Sequence, residues 1–139
     1  MELAAINREL RAEDDTVAVF KGMVRQDFGL ASQCYPLAEE VLARKGEYAL
    51  CLRFMPNSQL RFDAIRQQRD RAATMPVGNL QMKKVFEDRF VGQVRTLLEI
   101  LVANGRKSEA ERIRAQALAI MDDPRIASAV DDAEKEMAK

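Results

Sequence analysis

The sequence predicts an all-α protein built from antiparallel helical hairpins that stack side by side. Helix-favouring residues are plentiful, whereas Gly and Pro number only six and four among 139 residues. Apolar residues recur three and four positions apart along most of the chain, which is the spacing of one helix face. Aromatic residues make up only 6% of the chain and Trp is absent, a composition less typical of β-sandwiches and barrels. The length and the 47% of hydrophobic residues predict a single domain over residues 1–139.

The first third of the chain predicts helices separated by capping and turn residues. Asp14 and Asp15 are suited to cap a helix, and a short apolar stripe precedes them. Gly29 can take the left-handed conformation that ends a helix. Ser32 is expected to begin the next helix, whose buried face would include Leu37.

The segment from Glu47 to Met55 is apolar on nearly all sides. Its pattern alone fits a buried strand or a buried helix, and the helical surroundings favour the helix. Pro56 ends this element, and either Asn57 or Ser58 caps the helix that follows. The residues Met75-Pro76-Val77-Gly78 predict the clearest loop of the chain.

The longest apolar stripe extends from Asn79 to Asn104, and its buried face would include Met82 and Val85. Gly92 interrupts the stripe and predicts either a close helix crossing or a break, because an interior Gly destabilises a helix. Gly105 ends the element.

Two capping signals follow this stripe. The residues 108–111, Ser-Glu-Ala-Glu, have the composition of a capping box in which Ser108 is the N-cap. Asp123 before Pro124 predicts a second N-cap. The last helix would bury Ile126, Val130, Ala133 and Met137. The chain is therefore expected to contain seven or eight helices joined by short connections.

Residues 92–124 resemble a tetratricopeptide repeat, a helical hairpin of 34 residues. The matching positions are the helix–helix contact residues, the turn and the closing proline: Leu97, Leu101, Gly105, Ala110, Ala117 and Pro124. The resemblance implies an α-solenoid of stacked hairpins that binds a protein or peptide in a groove, with residues 124–139 as the capping helix. An irregular helical bundle is the alternative architecture.

The sequence departs from the tetratricopeptide pattern in two respects. The family's aromatic positions are taken by Val94, Leu101 and Arg114, and the closing proline comes about two residues late. Residues around Gly46 also resemble the turn between the two helices of such a repeat, but 59 residues separate Gly46 from Gly105, which is not a multiple of the repeat length.

The residue types of the chain argue against catalysis. It contains no histidine, which excludes Ser-His and Cys-His nucleophile pairs and His-centred metal sites. Adjacent acidic pairs such as Asp122-Asp123 point about 100° apart on a helix, so they do not converge as a glycosidase pair must. We therefore predict no catalytic residues, no metal site and no cofactor.

Basic residues are concentrated in the middle of the chain. Residues 53–114 contain 13 basic and 7 acidic side chains, whereas residues 1–52 and 115–139 each carry a net charge of −3. Arg61, Arg66 and Arg69 form either a docking surface for an acidic partner or a solvated helix face. A net charge of zero and the few aromatic residues argue against nucleic acid as the partner.

The sequence predicts a cytoplasmic protein. The N-terminus lacks the pattern of a signal peptide, and no apolar stretch is long enough to span a membrane. Cys34 and Cys51 lie in apolar helical contexts that predict buried thiols, as in a reducing compartment.

The predicted function is a non-enzymatic protein-interaction or scaffold module, whose partner is a protein, a peptide or another copy of the chain. By the family resemblance, its groove would present Arg95, Glu99 and Val102, although Arg95 and Glu99 are also spaced to pair with each other. The alternative function is a helical bundle that binds a small-molecule or regulatory ligand in an apolar pocket. Its seven Met residues would then make the pocket adaptable. An enclosed cavity would favour the ligand, and an open groove would favour the protein partner.

Overall fold

The computed structural model describes residues 2–74 and 80–138, with side chains described for 11–72 and 81–138. All regular structure in these ranges is helical, which confirms the all-α prediction. The helices are α1 (Glu2–Gln26), α2 (Phe28–Arg44), α3 (Tyr48–Phe54), α4 (Ser58–Thr74), α5 (Leu80–Ala103), α6 (Lys107–Ile120), α7 (Pro124–Ala127) and α8 (Ala129–Met137). The loop predicted at residues 75–78 lies outside the described residues. The chain forms two compact units, Met1–Phe54 and Met55–Lys139.

In the first unit, α1 and α2 form an antiparallel hairpin. Ion pairs join the first half of α1 to the end of α2, with Glu13 Oε1 at 2.6 Å from Arg44 Nη2 and Asp14 Oδ1 at 3.0 Å from Lys45 Nζ. The short helix α3 packs on α2. Four aromatic rings of this unit pack against one another, and the centroids of neighbouring rings lie 4.9–6.2 Å apart: Phe20, Phe28, Tyr35 and Phe54.

The predicted helix boundaries within α1 and α2 are wrong. Asp14 lies inside a continuous α1 and pairs with Lys45 rather than capping a helix. The cap comes instead at Asp27, whose Oδ1 accepts a hydrogen bond from Leu30 N at 3.1 Å. Gly29 and Ser32 therefore lie within α2, and the Asp27 carboxylate satisfies one of the backbone N–H groups that a helix start leaves unpaired.

Both hairpin turns predicted at Gly residues are confirmed. Gly46 and Gly105 have φ values of 77° and 75°. After α2, Glu47 N donates to Leu42 O at 2.9 Å, and after α5, Arg106 N donates to Leu101 O at 2.8 Å. These bonds satisfy the last carbonyls of the helices, as in a Schellman motif.

The second unit is built around α5, which packs on α4, α6, α7 and α8. The inner face of α5 is fully buried at Val94, Leu97 and Leu101. The small residues Ala110 and Ala117 of α6 are buried as well, and they allow α6 and α5 to approach closely.

The helix predicted from the segment between Glu47 and Met55 is also confirmed as α3, although only Cys51 of α3 is buried.

Two predictions for α5 are wrong. Met82 and Val85 are 43% and 49% exposed, although their spacing placed them on the buried stripe. Gly92 lies inside an unbroken helix with open space around it, so it marks neither a break nor a close crossing. The prediction for Met82 and Val85 assumed that a neighbouring helix follows α5 along its whole length.

Capping in the second unit is confirmed at two of the three predicted sites. Asp123 caps α7, its Oδ1 accepting from Arg125 N at 2.8 Å. Ser108 is not an N-cap, because α6 begins at Lys107 after Arg106. Asn57, and not Ser58, caps α4, accepting from Leu60 N at 3.1 Å. The Ser58 hydroxyl instead donates to Glu109 Oε2 at 2.8 Å.

Candidate interaction surfaces

An open apolar groove lies between α1 and α2 in the first unit. Its volume is about 340 Å³, and its lining comes from one face of each helix: Asp15, Thr16, Val19, Phe20, Met23, Cys34, Leu37 and Ala38. The side chains of Val19 and Leu37 are 63% and 87% exposed, whereas Phe20 and Ala38 are buried beneath them. Leu37 was predicted to lie on a buried face, and that prediction is wrong. We refer to this feature as the α1/α2 groove.

The α1/α2 groove is apolar along its length and acidic at one end. The polar groups in its lining are the Asp15 carboxylate, the Thr16 hydroxyl and the Cys34 thiol. The Thr16 hydroxyl donates to Ala12 O at 2.9 Å within its own helix. Asp15 lies near Asp14 and Glu13, whose charges pair with Lys45 and Arg44. The carboxylate of Asp15 is the only charged group in the described lining.

The two cysteines occupy different environments. Cys34 is half-buried in the lining of the α1/α2 groove, and Cys51 is fully buried in α3. Burial raises the pKa of the Cys51 thiol to about 11, and the nearby Glu39 carboxylate adds to the shift. Burial also raises the pKa of Tyr35 far above its ordinary value, again with a contribution from Glu39. Cys34 is therefore the more accessible of the two thiols.

The groove residues predicted from the tetratricopeptide resemblance lie on α5 in the second unit. Arg95 donates to the carbonyl oxygen of Arg125, and its Nη2 lies 3.3 Å from Asp132 Oδ2. It therefore connects α5 to α7 and α8. Glu99 and Val102 are half-buried on the same helix.

The three arginines predicted as a docking surface lie on α4 but face different neighbours. Arg66 and Arg69 share the carboxylate of Asp70, at 4.0 and 3.7 Å. The Arg69 guanidinium also lies 5.5 Å from the centre of the Phe90 ring of α5. Arg61 lies five residues before Arg66, which places the two side chains on different flanks of α4. The structure therefore does not bring the three together as one surface.

A second exposed surface is formed where α4 and α5 lie side by side. A hydrogen bond of 3.3 Å between the Gln68 and Gln93 side chains marks their contact on this side. We call the surface the outer α4/α5 face and define it by Gln68, Arg71, Met82, Val85, Arg89 and Gln93. All of these are exposed except Gln93, which is half-buried.

Sequence reasoning missed both surfaces. Val19, Leu37, Met82 and Val85 have the same helical spacing as true core residues, and only the positions of neighbouring helices distinguish the two roles.

Within the described ranges, no group of His, Cys, Asp and Glu side chains is arranged to hold a metal ion. No helix in those ranges is long and apolar enough to cross a membrane. No family model, curated protein or solved structure matches the chain.

Proposed function

We propose that the protein is a non-enzymatic protein-interaction module whose α1/α2 groove docks an amphipathic helix of a partner protein. The observation that carries the proposal is the exposure of Val19 and Leu37 along an apolar groove. Large aliphatic side chains gain about 1.5–3 kcal/mol each when they are fully removed from water. Covering these two would therefore contribute substantially to binding.

The dimensions of the α1/α2 groove suit a short helical segment. From Asp15 to Met23 the groove follows α1 for about 12 Å at 1.5 Å per residue. This length matches about two turns of a partner helix, which would present apolar residues three and four positions apart.

Charge further restricts the partner. The Asp15 carboxylate lies at one end of an otherwise uncharged lining. A partner helix with a Lys or Arg beyond its apolar residues would complement this end, whereas an acidic residue there would be repelled. We therefore propose a partner helix that is apolar along one face and basic at one end.

A small-molecule ligand is the competing occupant, because a volume of about 340 Å³ lies at the lower end of ligand-site sizes. Ligand sites bury most of the ligand surface. The α1/α2 groove is bordered by Leu37, which is 87% exposed, and such an open border favours a helix over a small molecule.

Two further aspects of the proposal rest on the second unit and on the cysteines. The α5/α6 hairpin, with its Gly105 turn and buried Ala110 and Ala117, supports a tetratricopeptide-like repeat. Two free cysteines support a cytoplasmic location, where thiols stay reduced.

Affinity capture of partners from the native cell with the tagged full chain tests the proposal. Val19→Glu and Leu37→Glu should each abolish capture, because they place a carboxylate in the apolar lining. Both side chains are exposed, so the far-UV circular dichroism spectrum should stay unchanged.

Leu60→Glu is the matched control for these variants. Leu60 is 65% exposed on α4 and outside the α1/α2 groove, so this variant should capture partners as the unmodified chain does. Equal capture by Leu37→Glu and Leu60→Glu would refute the role of the groove.

A further inference from the structure

We infer that the α1/α2 groove of one copy of this chain binds the exposed first half of α5 of a second copy, so that the protein associates with itself head to tail. The inference rests on the proposed function, because it uses the same groove. It identifies a segment of the chain that has the chemistry of the proposed partner helix, apolar along one face and basic at one end.

The matching segment belongs to the outer α4/α5 face and comprises residues 82–89, which we call the α5 segment. Met82 and Val85 lie on one side of the helix and are 43% and 49% exposed. Arg89 lies one turn after Val85 on the same side and is exposed. The α5 segment therefore presents two apolar side chains followed by a guanidinium group.

Charge favours the contact between the groove and the α5 segment. Asp15 lies at one end of the groove lining, and Arg89 lies at one end of the α5 segment. Neither side chain forms an ion pair with a residue that the structure describes. Docking would join them, and arginine pairs with a carboxylate in two-pronged geometry. Two copies joined groove to groove would instead lack a cation for Asp15, because the described lining contains none.

The carboxylates of the α5 segment do not oppose this contact. Asp88 Oδ1 lies 3.1 Å from Arg125 Nη1 of α7, which compensates its charge. Glu87 is half-buried and lies about 200° around the helix from Val85. The three basic and two acidic residues of the segment leave it a net charge of +1.

The dimensions of the two surfaces also agree. The groove follows α1 for about 12 Å, and the α5 segment is about 10 Å long at 1.5 Å per residue. The contact would cover Val19 and Leu37 of one copy with Met82 and Val85 of the other, all of which are exposed. Because it joins two different surfaces of the same chain, each contact leaves one groove and one α5 segment free for further copies.

Sedimentation velocity of the full chain tests the inference, and we expect self-association that increases with concentration. Val85→Glu and Leu37→Glu should each give a monomer, because each places a carboxylate in the apolar contact. An equimolar mixture of the two variants should form a 1:1 dimer, since the first keeps an intact groove and the second an intact α5 segment. Leu60→Glu changes an exposed side chain outside both surfaces and should associate as the unmodified chain does.

Charge reversal tests the pairing of Asp15 with Arg89. Asp15→Arg and Arg89→Glu should each weaken self-association about tenfold or more, because like charges then meet in the contact. The double variant Asp15→Arg/Arg89→Glu should recover most of the affinity. Asp15→Arg/Arg112→Glu has the same net charge, but it changes an exposed arginine of α6 and should not recover it.

Three outcomes would overturn the inference. The first is a chain that stays monomeric at every concentration that its solubility allows. The second is equal recovery by the two double variants, because association would then follow net charge alone. The third is self-association of Val85→Glu by itself, which would indicate a symmetric contact between grooves.

The result is distinguishable from a test of the proposed function. A Leu37→Glu bait keeps its α5 segment and should still capture native copies of the chain, although it should lose other partners. Loss of other partners by this bait from a monomeric chain would overturn the inference alone. Self-association that needs Val85 and Arg89 but not Leu37 would contradict both proposals, because the groove would have no part in it.

Discussion

At the scale of single residues, local and long-range hydrogen bonds compete for the same side chains. Asp123 caps a backbone N–H two residues away, and a sequence pattern is able to predict such a contact. Glu109 instead accepts from Ser58, which is 51 residues earlier in the chain. The capping box predicted at residues 108–111 would use Glu111, which lies 3.9 Å from Arg114 instead, so a local pattern alone does not determine which partner a side chain takes.

The variants Asp123→Ala and Ser108→Ala should therefore differ in their effect on the free energy of unfolding. Asp123→Ala should lower the free energy of unfolding by about 1 kcal/mol, because it removes an N-cap hydrogen bond. Ser108→Ala should change it by less than about 0.5 kcal/mol, as expected for an exposed residue without a capping role. Urea unfolding measures both. A loss of about 1 kcal/mol in Ser108→Ala would show that the helix begins at Ser108 after all.

The buried thiol of Cys51 predicts a loss of stability at alkaline pH. Its pKa is raised from 9.0 to about 11 in the folded protein, so the folded state holds its proton longer than the unfolded state. The resulting stabilisation is complete below pH 9, and about 2–3 kcal/mol is lost by pH 11. Tyr35, whose pKa is also raised, adds to this loss.

Urea unfolding of the full chain between pH 8 and pH 11 tests this linkage. Cys51→Ala should be less stable at pH 8 because it leaves a cavity, but its stability should decline less on raising the pH. The same decline in the variant and the unmodified chain would contradict the assignment to Cys51.

At the scale of helices, the sequence predicts the existence of elements better than their ends or their buried faces. The apolar spacing indicates α5 along its full length, but Gly92 predicted either a close helix crossing or a break, and the structure shows neither there. Leu37 and Val85 share the spacing of core residues and are exposed. Periodicity reports that a helix has an apolar face, and the arrangement of neighbours determines whether that face is covered.

Gly92 and Gly105 predict opposite effects of the same substitution. Gly92→Ala should stabilise the protein by about 0.5–1 kcal/mol, because Ala favours the helix and the space is open. Gly105→Ala should destabilise it by about 1–2 kcal/mol, because its φ of 75° is strained for a residue with a Cβ. Thermal unfolding of both variants checks the signs. Destabilisation by Gly92→Ala would mean that α5 bends or breaks there.

At the scale of the whole molecule, composition and periodicity predict the all-α class, and the structure confirms it. They do not identify the α1/α2 groove or the outer α4/α5 face, because exposure depends on which helices pack together. The acidic and basic segments of the sequence mark where charge lies along the chain. The ion pairs that compensate it, such as Arg95–Asp132 and Arg125–Asp88, join residues 37 apart.

The C-terminal helices predict a test of how the second unit is held together. Ile126 and Val130 are fully buried, and α8 packs on α5. Met137, expected on the inner face, is 38% exposed, so two large side chains rather than three stabilise the contact. Truncation after Asp123 should lower the free energy of unfolding by several kcal/mol, since each of these two buried side chains contributes about 1.5–3 kcal/mol. Size-exclusion chromatography with thermal unfolding should show aggregation or a lower Tm, and an unchanged monomer would refute the packing role.

Photo-crosslinking from Cys34 most directly tests the proposal that the α1/α2 groove docks a partner helix. The Cys34 thiol lies in this groove, whereas Cys51 is buried. A thiol-reactive benzophenone on Cys34 should capture, in the native cell extract, a protein segment that is apolar on one helical face and basic at one end. The Leu37→Glu variant should lose this product. The same probe on Leu60→Cys in a Cys34→Ser background serves as the control and should not form it. Identical products from both positions, or no protein product from Cys34, would contradict the account.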